Sequence, residues 1–206
     1  MTELERFRQE CQAFFETLNP ERFKPMVFGD GQSHQPRLML IGEAPGEQEA
    51  LQGRPFVGKA GKNLDQFLHV VGLKREEIYI SNVVKIRPSK ISAAGRIVNR
   101  PPNREEKALF TPWLMREIAI VRPRALVTLG NVALQAFADH VIGSCHGRWN
   151  EVEIAPPDQE QFTLPLFALY HPASVIYNQS LKSTYEADLL ALARSLDEAK
   201  DGKTDI

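Results

Sequence analysis

Apolar positions recur along the chain in two spacings, and the alternation between them outlines a fold. Residues 2 to 18 place Leu4, Phe7, Cys11, Phe14, Phe15 and Leu18 at helical spacing, with Thr2 and Glu5 set for a capping box. Leu38-Met39-Leu40-Ile41 is a continuous apolar run ending at Gly42, too short for a helix and suited to a buried strand. From Glu43 to Gly61 the periodicity vanishes, and four glycines and two prolines mark a long structured loop. Helical spacing resumes over Lys62 to Val71 through Leu64, Phe67 and Leu68, and stops at Gly72. Ile78 to Val84 reads as the next strand, leading into a basic loop. A helix from Arg104 to Val121, a strand from Ala125 to Leu129 and a short helix from Gly130-Asn131 through Phe137 follow. Leu164 to Tyr170 is a further apolar run closing at His171-Pro172, and a last helix covers about Leu181 to Leu196. The tail from Lys200 to Ile206 is expected to fray, as chain ends do.

Strands alternating with helices imply right-handed crossovers and a mostly parallel sheet covered on both faces. No repeat, low-complexity tract or linker divides the 206 residues, so one domain is expected, with residues 1–25 as a helical N-terminal extension. Sites in such sheets form at the carboxyl ends of the strands. Gly42-Glu43, Asn82, Gly130-Asn131 and His171 all stand at predicted strand ends.

Composition is ordinary for a globular chain, 43% hydrophobic and 25% charged. Its two cysteines, Cys11 and Cys145, exclude a disulfide framework, a four-thiolate zinc site and an all-cysteine iron–sulfur cluster, and suit a reducing compartment. No signal peptide and no apolar stretch long enough to span a bilayer occurs, so a cytoplasmic protein without membrane attachment is expected. A formal net charge of -1 argues against a nucleic-acid partner only until the charges are placed. Lys85, Arg87, Lys90, Arg96, Arg100 and Arg104 lie between Asn82 and Arg104 with no acid among them. A neutral total thus hides a basic segment on an acidic body. By itself such a run also fits a solvated loop.

Gly53-Arg54-Pro55-Phe56-Val57-Gly58-Lys59-Ala60 nearly matches a phosphate-binding loop. Ala60 lacks the hydroxyl that would hold magnesium, Pro55 lacks an amide N–H, and the motif begins eleven residues after the strand ends. A nucleotide cofactor is not expected. The same loop offers a proline-held Phe56, a flat face for a planar ligand, although Phe56 alone fits the local core better. Asn82 presents a donor and acceptor edge that can pair with a base, and fits a strand-terminating role equally well. His171 can stabilise a leaving group, while Glu43 and Glu49 can hold a water or orient the histidine. A lone histidine is more often structural, and His34, His69, His140 and His146 show no ligand spacing. Together, a stacking ring, an amide reader, a histidine, a carboxylate and a basic rim are the parts that excision of a base from DNA requires.

Gly42-Glu43-Ala44-Pro45-Gly46-Glu47, continuing to Gly53 through Gly61, closely resembles the first motif of family 4 uracil-DNA glycosylases. Ile80 to Lys85 with Arg87-Pro88, Asn99-Arg100-Pro101, Gly147-Arg148-Trp149 and His171-Pro172-Ala173 resemble later segments of that family, in its order. The resemblance implies a three-layer α/β/α sandwich around a four-stranded, mainly parallel sheet, and hydrolysis of the N-glycosidic bond of deoxyuridine in DNA. It implies that Phe56 stacks on a flipped uracil, that Asn82 reads the uracil edge, and that His171 donates to a uracil carbonyl. It further implies that Glu43 is catalytic, that Ala44, Gly46, Glu49 and Asn99 contact the substrate, and that Lys85, Arg87, Arg100 and Ser174 contact DNA.

Two departures stand out. The family carries an iron–sulfur cluster on four cysteines, whereas Cys11 has no Cys-x-x-Cys partner and Ile86 stands where the third cysteine would follow Lys85. No metal or other cofactor is therefore expected, and the N-terminal helix takes over the packing. Second, the ten residues Ser89 to Val98 are additional before Asn99. Some relatives trap DNA covalently through a histidine in a longer version of this loop, and this one has none. The expected protein is a monomeric, monofunctional uracil-DNA glycosylase of base excision repair. Alternatives are a DNA-binding relative with weak or lost chemistry, or a glycosylase shifted towards hypoxanthine or xanthine. Val175, Ile176 and Tyr177 are candidates for a wedge in the base stack, and fit the core equally well.

Overall fold

The structure is a computed structural model describing residues 1–200, with the side chains of residues 59, 60, 176, 177, 199 and 200 outside the described set. The tail expected to fray falls almost wholly beyond it. Eight strands are described: β1 (Asp30–Gly31), β2 (Leu38–Gly42), β3 (Tyr79–Asn82), β4 (Ser89–Ile91), β5 (Ile97–Asn99), β6 (Ala125–Leu129), β7 (Trp149–Ile154) and β8 (Phe162–Leu169). The helices are α1 (Glu3–Leu18), α2 (Glu47–Gln52), α3 (Lys59–Val71), α4 (Arg104–Val121), α5 (Asn131–Leu134), α6 (Ile142–Cys145), α7 (Pro172–Tyr177) and α8 (Lys182–Lys200).

The main sheet has six strands in the order β1-β3-β2-β6-β8-β7, not four. The inner four, β3-β2-β6-β8, are parallel, as the alternation of strands and helices requires. Antiparallel edges account for the difference: two-residue β1 pairs with β3, and β7 returns against β8. All five residues of β2 are buried because both faces of the sheet are covered. Met39 and Ile41 face a core shared with α1 and α4, whereas Leu38 and Leu40 face a second core shared with α3 and α8. This strict alternation is the three-layer sandwich seen at one strand.

Helix α1 begins with the expected capping box, Glu5 N donating to Thr2 Oγ1 (3.1 Å) and Thr2 N to Glu5 Oε2 (2.7 Å). Its buried stripe of Phe7, Cys11 and Phe15 packs on α4, where Phe15 stacks on Phe110 at 4.1 Å between centroids. Helix α3 starts three residues earlier than its apolar spacing indicates, because Gly58 caps it, and one turn of helix (α2) interrupts the loop after β2. Helix α5 ends at Leu134, short of Phe137. The basic loop is partly a separate two-stranded sheet, β4 against β5. No helix among the described residues is long and apolar enough to cross a membrane.

Candidate active site

Parallel strands bring their carboxyl ends to one edge, and there Gly42 of β2 stands in register with Asn82 of β3. Past these ends Val83 N donates to Gly42 O (2.9 Å) and Val84 N to Glu43 O (3.1 Å), so the two chains leave the sheet together. Asn82, 3% exposed, lines a cavity of about 520 Å³ with Ala44, Glu49, Phe56, Asn99 and His171. Gly46 is also in its wall. The volume lies in the ordinary range for small-ligand pockets.

A Cβ on Gly42 would collide with Asn82 Oδ1 and lie 2.7 Å from Phe56 Cζ. The missing side chain is what lets ring and amide meet over the strand end. Phe56 adopts φ +53°, a left-handed conformation that costs a bulky residue on the order of 1–3 kcal/mol. It is held by Arg75, whose guanidinium donates to Pro55 O (2.6 Å) and Phe56 O (3.0 Å). Sequence reasoning missed Arg75, because nothing local links it to a loop 19 residues earlier.

Glu49 ties the rest of this loop together. Its carboxylate accepts from Gly46 N (3.1 Å), Val57 N (3.1 Å) and Gly58 N (2.7 Å). The amides that a phosphate-binding loop would offer to an anion are thus already filled by a side-chain anion. This is the physical reason the near-match of Gly53 to Ala60 does not make a nucleotide site.

His171 caps the N-terminus of α7, its Nδ1 accepting from Ala173 N (3.1 Å). With Nδ1 as acceptor, the ring proton resides on Nε2, leaving that nitrogen a donor. Burial pushes the His171 pKa down, so the neutral imidazole is favoured. Gly130 (φ +89°) backs this residue: a Cβ there would sit 3.1 Å from His171 Cβ. Glu43 is not among the cavity-lining residues. Its half-buried carboxyl is pushed up by burial and eased down by Lys107.

The basic rim is smaller than the charge count indicates. Lys85, expected at DNA, is fully buried, and its Nζ donates to Glu117 Oε2 (2.5 Å), Ser81 Oγ (2.7 Å) and Asn82 O (2.7 Å). The chain after β3 runs beneath α4, where the buried Glu117 carboxylate requires a cation, so Lys85 supports the site from inside instead of touching phosphate. Arg87 bonds Asn99 Oδ1 (2.7 Å) and pairs with Glu47 (3.1 Å). Arg100 grips Glu106 with two bonds of 2.6 and 2.7 Å, which holds that carboxyl below its ordinary pKa. Ser174 is exposed, while Val175 is half-buried and lines a hollow with Phe67 and Leu189 beside α3 and α8. The side chains of the other wedge candidates, Ile176 and Tyr177, lie outside the described residues.

The model of the uracil DNA glycosylase superfamily matches residues 28–193, which spans every element of this cavity. The chain belongs to that superfamily. It is 37% identical over 157 residues to the Type-4 uracil-DNA glycosylase of Archaeoglobus fulgidus, covering 73% of this chain and 72% of the relative. To the Type-4 enzyme of Saccharolobus solfataricus it is 33% identical over 180 residues, 84% of this chain and 77% of the other. A Type-4 enzyme of Pyrobaculum aerophilum is 35% identical over 174 residues, 79% and 82% of the two chains.

The four-thiolate cluster of family 4 does not fit this glycosylase-family chain. Its two thiols sit on separate helices, and burial pushes Cys11 up to about 12, which opposes the thiolate that iron requires. Ile86 is buried in the same core as Cys11, Phe15, Phe23 and Phe110. An aromatic and aliphatic pack thus joins α1 to the segment after β3.

Proposed function

We propose that this chain hydrolyses the N-glycosidic bond of deoxyuridine in DNA, releasing free uracil. The observation that carries the reading is the convergence of Phe56, Asn82 and His171 on one cavity at the strand ends. An extruded base would stack on Phe56. The Asn82 amide can donate to uracil O4 and accept from N3–H, whereas cytosine presents a donor and an acceptor in the reverse order. As the C1′–N1 bond breaks, its electron pair passes to the base, and His171 Nε2–H donates to the uracil carbonyl that gathers the charge. Water adds to C1′ and loses a proton. Glu43, next in the chain to the wall residue Ala44, is the carboxylate proposed to assist that water. Ala44, Gly46, Glu49 and Asn99 shape the base pocket, and Arg87, Arg100 and Ser174 border the DNA path. The chain is proposed to work as one domain and a monomer in the cytoplasm, with DNA as its macromolecular partner.

Strands identical except for one uracil, cytosine, hypoxanthine or xanthine, each incubated with excess protein, test this reading. Uracil is expected to be released fastest and cytosine retained. Preferential release of hypoxanthine or xanthine would displace uracil as substrate, and tight binding with no base released would leave only a DNA-binding relative.

The pH dependence follows from burial. Because the folded His171 pKa lies below its usual value near 6.5, the neutral donor persists as the pH falls through that value. Single-turnover excision should therefore hold through the ordinary imidazole range and fall only below it, where the upward-shifted Glu43 carboxyl also takes up its proton. A midpoint at or above the ordinary histidine value would contradict this placement of His171. The unfolded chain protonates His171 first on acidification, so stability falls between the ordinary imidazole value and the lowered folded one, the range in which excision still holds.

A further inference from the structure

We propose that the β4–β5 hairpin is a duplex probe, Ile91 and Ile97 pressing against the base stack beside the extruded nucleotide. The proposal rests on the glycosylase reading above and goes beyond it, by assigning a double-strand function to residues outside the pocket.

Ser89 is paired with Asn99, Lys90 with Val98 and Ile91 with Ile97. Residues directly opposite, and those two apart on one strand, share a face of a sheet. Ile91 and Ile97 therefore stand on the same face as Asn99, whose side chain lines the cavity, about 6.5 Å further towards the tip. They are 76% and 63% exposed, two β-branched apolar side chains placed across from one another in water at the lip of a polar pocket. No core accounts for them.

The hairpin is held out as a fixed unit. Arg100 N donates to Pro88 O (3.0 Å) and its Nε to Ser89 O (3.1 Å), while its guanidinium is clamped to Glu106 on α4. The turn is closed by Ser92 N to Arg96 O (2.8 Å) and by Arg96 N to Ser92 Oγ (3.1 Å), with Gly95 at φ +72°. Lys90 and Arg96 each precede one of the apolar pair and so stand on the opposite face of the hairpin, and neither side chain pairs with an acidic group among the described residues. A hairpin with apolar tips on its pocket-side face and unpaired cations on the other matches a duplex, whose phosphates attract the cations and whose opened step accepts the wedge. A single strand has no base-paired stack, and no opposite strand, to hold apart.

The test compares wild type with an Ile91→Thr/Ile97→Thr variant, which keeps β-branching and removes apolar surface. Single-turnover uracil excision is measured on one oligonucleotide, single-stranded and paired opposite guanine. The variant is expected to lose about 10–100-fold on the duplex and to match wild type on the single strand. Equal losses on both, or no loss on the duplex, would overturn the proposal. A second readout is 2-aminopurine fluorescence beside a stable abasic analogue in a duplex. Wild type should raise it on binding and the variant should not. If wild type released no uracil from either substrate, the glycosylase reading would fail, and the fluorescence arm would still decide the wedge.

Discussion

Alanine in place of His171 should slow single-turnover uracil excision by about 10²–10³-fold, the usual effect of removing one donor aimed at developing charge. The loss should fall on the rate and spare binding of uracil-containing DNA to within a few-fold, because this hydrogen bond strengthens only as the base becomes an anion. The imidazole is held for that task from both sides. Ala173 N occupies Nδ1, which leaves Nε2 protonated, and burial disfavours the cation. A neutral donor keeps its proton while stabilising the anion, and does not attract the substrate in its ground state. His171→Gln, which retains an N–H donor, should recover part of the rate. Unchanged excision by His171→Ala would remove the histidine from the chemistry, and an equal fall in binding would make it a ground-state contact.

The largest expected effect on stability comes from Glu117→Ala. Lys85 and Glu117 are both fully buried, and the carboxylate also accepts from Tyr79 Oη (2.9 Å) and Ser81 Oγ (2.8 Å). Removing it strands an ammonium and two hydroxyls in the core, at a cost of about 3–5 kcal/mol. Thermal unfolding should drop by on the order of 10 °C for a chain of this size. Lys85→Met combined with Glu117→Leu should restore much of that stability, since apolar replacements of a buried pair are often tolerated. It should still impair excision, because Lys85 Nζ holds the carbonyl of Asn82, the proposed base reader. Unchanged unfolding in Glu117→Ala would show that the pair carries no net burden in the core.

Local pattern made part of this legible in the sequence. The run from Leu38 to Ile41, the capping box at Thr2 and the apolar stripe of α1 each depend on neighbours a few residues apart. The extra sheet edges were harder: β1 has only two residues, and β7 is polar at alternate positions because one side faces solvent. That Asn82 and His171 meet at one edge followed from the rule that sites gather at strand ends, whereas Phe56, well past the end of β2, was tied to the site by the family resemblance. What the pattern could not show was pairing across long separations. Lys85 counts as one more basic residue until Glu117, 32 positions away, draws it inward. Arg100 is spent on Glu106, and Glu49 fills the amides that made its loop resemble a phosphate site. The segment after β3 carried the right charge for a DNA-facing element, but the turn around Gly95 and the pairing of Ile91 with Ile97 emerge only from its fold.

Release of uracil from DNA by protein side chains, without a resident cluster, is the reaction proposed for this pocket. Its most direct test is the stoichiometry of free uracil and abasic sites, formed from a single-uracil oligonucleotide by excess purified protein dialysed against a metal chelator. One uracil and one abasic site per strand are expected, with the rate unchanged by chelation. An intact strand, or activity abolished by the chelator and restored by iron, would contradict it.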